Sequence, residues 1–115
     1  QRLPKYIGRN RAKELIYSGT FIDDDKAYEL GLVNRITDDK ASFLEAAVEC
    51  LKVIGRNCTL AVASAKQLMI AGNDMSNKDG LKQEGAVFGI VARSNDKAEG
   101  TKAFVEKRHP VFTRT

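Results

Sequence analysis

The sequence predicts a mainly α-helical domain with about six helices and one short strand. Apolar residues recur at helical spacing in six separate stretches, and glycine, asparagine or proline follows most of them. Only residues 32–36 (Leu-Val-Asn-Arg-Ile) read as extended. No fixed-period repeat, low-complexity tract or Pro/Ser-rich linker divides the 115 residues.

The first helix carries Ala12, Leu15 and Ile16 on one face and stops at Gly19. Thr20-Phe21-Ile22 is a short link to Asp23, a predicted N-cap, with Asp24 and Asp25 in the first turn where carboxylates suit the helix dipole. Ala27 and Leu30 face inward on this second helix, and Gly31 fits the C′ position. A longer helix is expected over residues 41–56, with Leu44, Ala47, Val48, Leu51 and Ile54 on one face. Thr59 is the predicted cap of the fourth, which carries Leu60, Ala61, Ala65, Leu68 and Met69 and ends at Gly72-Asn73. Ser76-Asn77-Lys78-Asp79 is a capping-box variant that opens a helix with Leu81, Gly85, Phe88 and Ala92 on one face. Ser94 caps the last helix, with Ala98, Phe104 and Val105, and Pro110 is expected to end it. A lone strand leaves backbone groups unsatisfied, so residues 32–36 are expected to pair outside this chain.

A chain of this length makes one domain, expected to bury about 65% of the surface of its unfolded form. Apolar residues at 43% and charged residues at 30% suit a globular protein and exclude intrinsic disorder. No apolar run approaches the roughly 20 residues that span a bilayer, and no apolar stretch follows Gln1-Arg2-Leu3-Pro4-Lys5, so neither a membrane span nor a signal peptide is expected. Two cysteines do not make a disulfide framework or a zinc site. Cys50 and Cys58 read as reduced structural thiols in a reducing compartment, bacterial cytoplasm or mitochondrial matrix.

The net charge of +4 is unevenly placed. Residues 1–13 hold Arg2, Lys5, Arg9, Arg11 and Lys13 with no acid. Residues 93–115 hold Arg93, Lys97, Lys102, Lys107, Arg108 and Arg114 against Asp96, Glu99 and Glu106. The middle is acidic. Basic ends around an acidic middle point to a localised anion site, beside the ordinary reading of solvated lysines. With no Trp, 3 Tyr and 5 Phe there is little from which to build a base-stacking platform.

Several motifs occur in one order along the whole chain. Gln1-Arg2-Leu3-Pro4 precedes Ile7-Gly8, Ala12-Lys13-Glu14-Leu15 and Gly19. Then come Ala27-x-x-x-Gly31-Leu32-Val33-Asn34, Ala65-Lys66, Gly72-Asn73-Asp74-Met75-Ser76 and Asp79-Gly80-Leu81. Glu99-Gly100-x-x-Ala103-Phe104-Val105-Glu106-Lys107-Arg108-x-Pro110-x-Phe112 closes the series. The chain resembles the C-terminal part of the enoyl-CoA hydratase/isomerase (crotonase) family. The resemblance implies that residues 1–115 are the C-terminal helical region of the α/β ClpP/crotonase fold. It implies that the family's oxyanion-hole loops and catalytic glutamates, which hold the enolate-like oxygen and activate water, lie outside these residues.

The resemblance therefore assigns no catalytic residue here. It implies that Phe88 lines the acyl or pantetheine region, and that Phe104 and Lys107 reach a coenzyme A that belongs to a neighbouring subunit. A flexible ammonium suits the phosphates of coenzyme A. Plain helix packing and a solvated lysine are the competing readings of these three. The resemblance also implies a homo-oligomer, trimer or hexamer, an acyl-CoA substrate and no separate cofactor or metal. The acids agree: Asp23-Asp24-Asp25 and Asp38-Asp39 stand at helix starts, where capping explains them, and Glu84 reads as a solvated helix face. His109, the only histidine, reads as a surface residue after the last helix. Gly72, Gly80 and Gly85 follow no strand and make no phosphate loop.

Three functions compete. The first is the C-terminal part of an enoyl-CoA hydratase, with double-bond isomerisation or another crotonase reaction as the alternative. The second is a basic module that meets RNA; nucleic acid is not expected, because no RNA motif accompanies the cluster at residues 2–13. The third is an oligomerisation module with no chemistry of its own. Saturable coenzyme A binding supports the first, and a steep fall of RNA affinity with salt supports the second.

Overall fold

In the computed structural model, residues 1–113 are described, and the regular structure among them is all helical, in seven helices. Arg114, counted above in the basic end, lies outside the described residues. Contacts gather into two units, Gln1–Val48 and a second from Glu49 onward.

In the first unit, α1 (Leu3–Ile7) and α2 (Arg9–Ser18) pack together on either side of Gly8. Pro4 sits in the first turn of α1, where its missing N–H costs nothing. α1 is the helix that pattern reading misses, because five residues are too few to show a period. α3 (Asp24–Glu29) starts as predicted: Asp23 accepts from the Lys26 amide at 2.8 Å. Ile7, Ala12 and Leu30 are buried together, with Leu3, Leu15, Ile22 and Leu32 packed against them.

The strand expected at residues 32–36 does not form; no strand occurs among the described residues. Its first residue is used otherwise. The Leu32 amide donates to the Ala27 carbonyl at 2.9 Å to close α3, and its side chain packs on the core cluster. With no second extended segment to pair with, the remainder stays irregular.

α4 (Lys40–Gly55) begins one residue earlier than predicted, behind a reciprocal cap: Ser42 donates its amide to Asp39 Oδ1 at 2.8 Å, and the Asp39 amide donates to Ser42 Oγ at 3.1 Å. Ser42 holds the Asp39 carboxyl below its ordinary value, chiefly through that backbone hydrogen bond.

In the second unit, α5 (Thr59–Gly72) packs on α6 (Asn77–Val91), and α7 (Asn95–Val105) follows. Ser76 and Ser94 cap α6 and α7 as expected, accepting from the Asp79 and Lys97 amides at 3.2 and 3.1 Å. Two ends differ from expectation. Cys58, not Thr59, is the N-cap of α5, with no side-chain hydrogen bond to the helix. α7 ends at Val105, well before Pro110, in a turn centred on Lys107.

The expected burial is not reached within this chain. Four apolar residues are buried among the described ones: Ile7, Ala12, Leu30 and Ala103. Leu44, Val48, Leu51 and Ile54 share one helical face of α4 as the periodicity predicts, yet all are exposed.

Candidate functional site

The site residues expected from the sequence lie in the second unit, on α6 and around the C-terminal turn of α7. Phe88 is three residues from the end of α6 and 71% exposed. Phe104 is in the last turn of α7 and 83% exposed. Lys107 is exposed two residues beyond that helix. Phe104 and Lys107 share one turn, since the Lys107 amide donates to the Phe104 carbonyl at 3.2 Å. Phe104 also lines an open, mostly apolar cavity of about 440 Å³ with Cys58, Ala61, Val91, Gly100, Thr101 and Phe112. Phe88 is not among its lining residues.

The exposure of these aromatics weakens the competing reading of simple helix packing inside the chain. Burying a phenyl ring is worth roughly 1.5–3 kcal/mol, and neither ring gains that within this chain.

The turn beyond α7 is held by carboxylates from α7 itself. Arg108 donates Nη1 to Glu99 Oε1 at 2.5 Å and Nη2 to Glu99 Oε2 at 2.9 Å, a fork-to-fork pair. Its Nε donates to Glu106 Oε2 at 2.7 Å. The Val111 amide also donates to Glu99 Oε1, at 2.9 Å. Arg108 first, and the Val111 amide second, push the Glu99 carboxyl from 4.5 down to about 2, and the two glutamates push Arg108 further up.

One turn earlier, Asp96 repeats the device. It is 1% exposed, accepts from the Thr113 amide at 2.7 Å, and accepts from the Cys58 thiol at 3.4 Å. Phe112 lies against Gly100, where a Cβ would stand 3.5 Å from the ring. Two carboxylates three residues apart thus strap the tail along α7. Sequence reading quotes Glu99, Arg108 and Phe112 in a motif but gives them no task, and it counts Asp96 only as a charge. An acid two residues after a helix cap looks like any first-turn carboxylate; its burial follows from the tail folding back.

The other candidates fall as follows. Cys50 is exposed and Cys58 half-buried, both as free thiols. His109 is exposed, and its carbonyl accepts from Arg108 Nη1 at 3.2 Å. Of the basic cluster, Lys5, Arg9 and Lys13 come together with Ile16 and Tyr17 around a cavity of about 400 Å³ in the first unit. Among the described residues no group of three His, Cys, Asp or Glu side chains is placed to hold a metal. No helix among them is long and apolar enough to cross a membrane.

Comparison with known proteins gives this arrangement its family. The family model of enoyl-CoA hydratase/isomerase matches residues 1–115. The chain belongs to the enoyl-CoA hydratase/isomerase family. A probable enoyl-CoA hydratase of Bacillus subtilis is 38% identical over 97% of the chain and 43% of its own length. The mitochondrial enoyl-CoA hydratase of Pongo abelii is 34% identical over 97% of the chain and 38% of its own length. The crystal structure of an enoyl-CoA hydratase from Bacillus anthracis superposes with a TM-score of 0.92 at 37% identity, covering 100% of this chain and 44% of that one. The chain therefore spans about two-fifths of the length of these relatives, and matches their C-terminal part. The expected fold class holds: this is the helical C-terminal region of the crotonase fold.

Proposed function

We propose that the protein carrying this chain is an enoyl-CoA hydratase, which adds water to a 2-enoyl-CoA to give the 3-hydroxyacyl-CoA. The observation that carries this reading is the 0.92 TM-score at 37% identity to a crystallised enoyl-CoA hydratase over the full chain. The names of the relatives favour hydration over isomerisation. The reaction uses acyl-CoA as substrate and takes no further cofactor. Nucleic acid and membrane stand outside its partners. Its place is the cytoplasm or the mitochondrial matrix; two relatives are named as mitochondrial.

Within that enzyme, residues 1–115 are a single C-terminal segment that covers acyl-CoA and joins subunits into a trimer or hexamer. Phe88 lines the acyl or pantetheine region, and Phe104 and Lys107 meet coenzyme A. The exposed apolar face of α4 and the exposed rings of Phe88 and Phe104 support this, because each is a surface awaiting cover. The segment itself supplies no acid–base pair. Asp23 and Asp39 are occupied in capping, and Asp96 and Glu99 in holding the tail.

Loss of the conjugated-thioester absorbance of a 2-enoyl-CoA tests the reading. The protein carrying this chain removes it, and the purified 115-residue chain does not. A long protein that isomerises a 3-enoyl-CoA but never hydrates the 2-enoyl form would replace hydratase by isomerase.

A further inference from the structure

Two helices of this chain end in the same hydrogen-bonded turn, with different residues at its left-handed position. At the end of α3 that residue is Gly31, with φ 73°. Its amide donates to Tyr28, and the next amide, of Leu32, donates to Ala27. At the end of α7 the residue is Lys107, with φ 53°, the only non-glycine residue with positive φ among those described. Its amide donates to Phe104, and the next amide, of Arg108, donates to Ala103 at 3.0 Å. Glycine adopts this backbone freely, whereas a Cβ crowds the carbonyl oxygen. Lysine has no short polar side chain to ease the strain, as asparagine would. Strain of this kind persists only where neighbouring contacts over-determine the backbone.

Those contacts are present on the next residue. Arg108 is gripped by both oxygens of Glu99 and by Glu106, and the Val111 amide adds a further tie to Glu99. The grip also consumes the charge of Arg108. Lys107 makes no side-chain ion pair among the described residues, so with Lys102 of the last helical turn it leaves this end of α7 cationic. The C-terminus of a helix repels anions, so an anion that binds here needs such a cation.

We propose that Glu99 and Arg108 are positioning residues for Lys107: their pairing holds the left-handed turn that presents its ammonium, beside Phe104, to the phosphates of coenzyme A. This rests on the acyl-CoA reading above. Glycine would fit the backbone but supply no ammonium, and the clamp compensates for the strain that lysine brings.

The test is a double-mutant cycle for coenzyme A affinity, measured by titration calorimetry at low salt on the protein carrying this chain. Lys107→Ala weakens binding by about fivefold, the scale of an exposed charge contact. Glu99→Gln weakens it comparably, and the double variant binds no worse than Lys107→Ala alone, because Glu99 acts through Lys107. A merely structural Glu99 would give additive losses, and additivity overturns the proposal. So does wild-type affinity in Glu99→Gln. Should that variant fold poorly, Lys107→Gly serves: it relieves the backbone and keeps or raises Tm, yet loses the same affinity as Lys107→Ala. A lower Tm in Lys107→Gly overturns the account of strain. Equal coenzyme A binding by wild type and Lys107→Ala overturns the proposal while leaving the acyl-CoA reading standing. A wild-type protein that ignores coenzyme A removes both.

Discussion

Glu99 is the residue on which most of the tail depends. It takes two hydrogen bonds from Arg108 and one from the Val111 amide, and its carboxyl is depressed from 4.5 to about 2. A carboxyl lowered on folding contributes stability above its unfolded value and loses it as pH falls through the folded one. The tail contacts are therefore complete above pH 4.5 and fail as pH falls towards about 2. Arg108 stays charged throughout that window. The side-chain carboxyl carbon of Glu99, followed by NMR, titrates near the lower value, and a midpoint at the ordinary carboxylate value would refute this. Gly31 makes a second prediction at this scale. Open space surrounds its missing Cβ, so Gly31→Ala meets no clash and tests the φ of 73° alone. The cost is about 1 kcal/mol in denaturant melts, and an unchanged midpoint would show that the turn relaxes.

Among the helices, local side chains set most starting points. Asp23, Asp39, Ser76 and Ser94 each accept from an amide three residues on, and all four are legible as a polar residue ahead of an apolar period. Asp39 shares its cap with Ser42 and shifts the start of α4 by a residue. α5 is the exception. Its N-cap is Cys58, whose thiol turns instead to the buried Asp96 38 residues away. Ser94→Ala removes the cap of the helix that carries Glu99, Phe104 and Ala103, and is expected to cost about 1 kcal/mol. Thermal melts check this; a change within error would mean that Asp96 alone holds the start of α7.

For the molecule as a whole, the decisive feature is apolar surface left in water. Leu44, Val48, Leu51 and Ile54 on α4, and Leu81, Phe88 and Phe104 beyond it, are all exposed. Large apolar side chains left in water along one helix face mark a surface that is normally covered. The isolated 115-residue chain is therefore expected to self-associate, and sedimentation velocity reads this directly. A stable, well-folded monomer across the accessible concentration range would contradict it.

Helix content, most helix starts, the apolar face of α4 and the family motifs were determined by the sequence alone, because each depends on residues a few positions apart. The tertiary structure decided whatever depends on distant residues. Residues 32–36 have strand composition, but no second extended segment meets them, and Leu32 closes α3 instead. Asp96 looks like a first-turn carboxylate and is buried because Thr113 and Cys58 come to it. Lys107 looks like one more surface lysine. It becomes the left-handed residue of the α7 turn only when Arg108 reaches back along the helix to Glu99. Local spacing can encode a helix and its cap, but a contact between positions far apart becomes visible only once the chain has folded back upon itself.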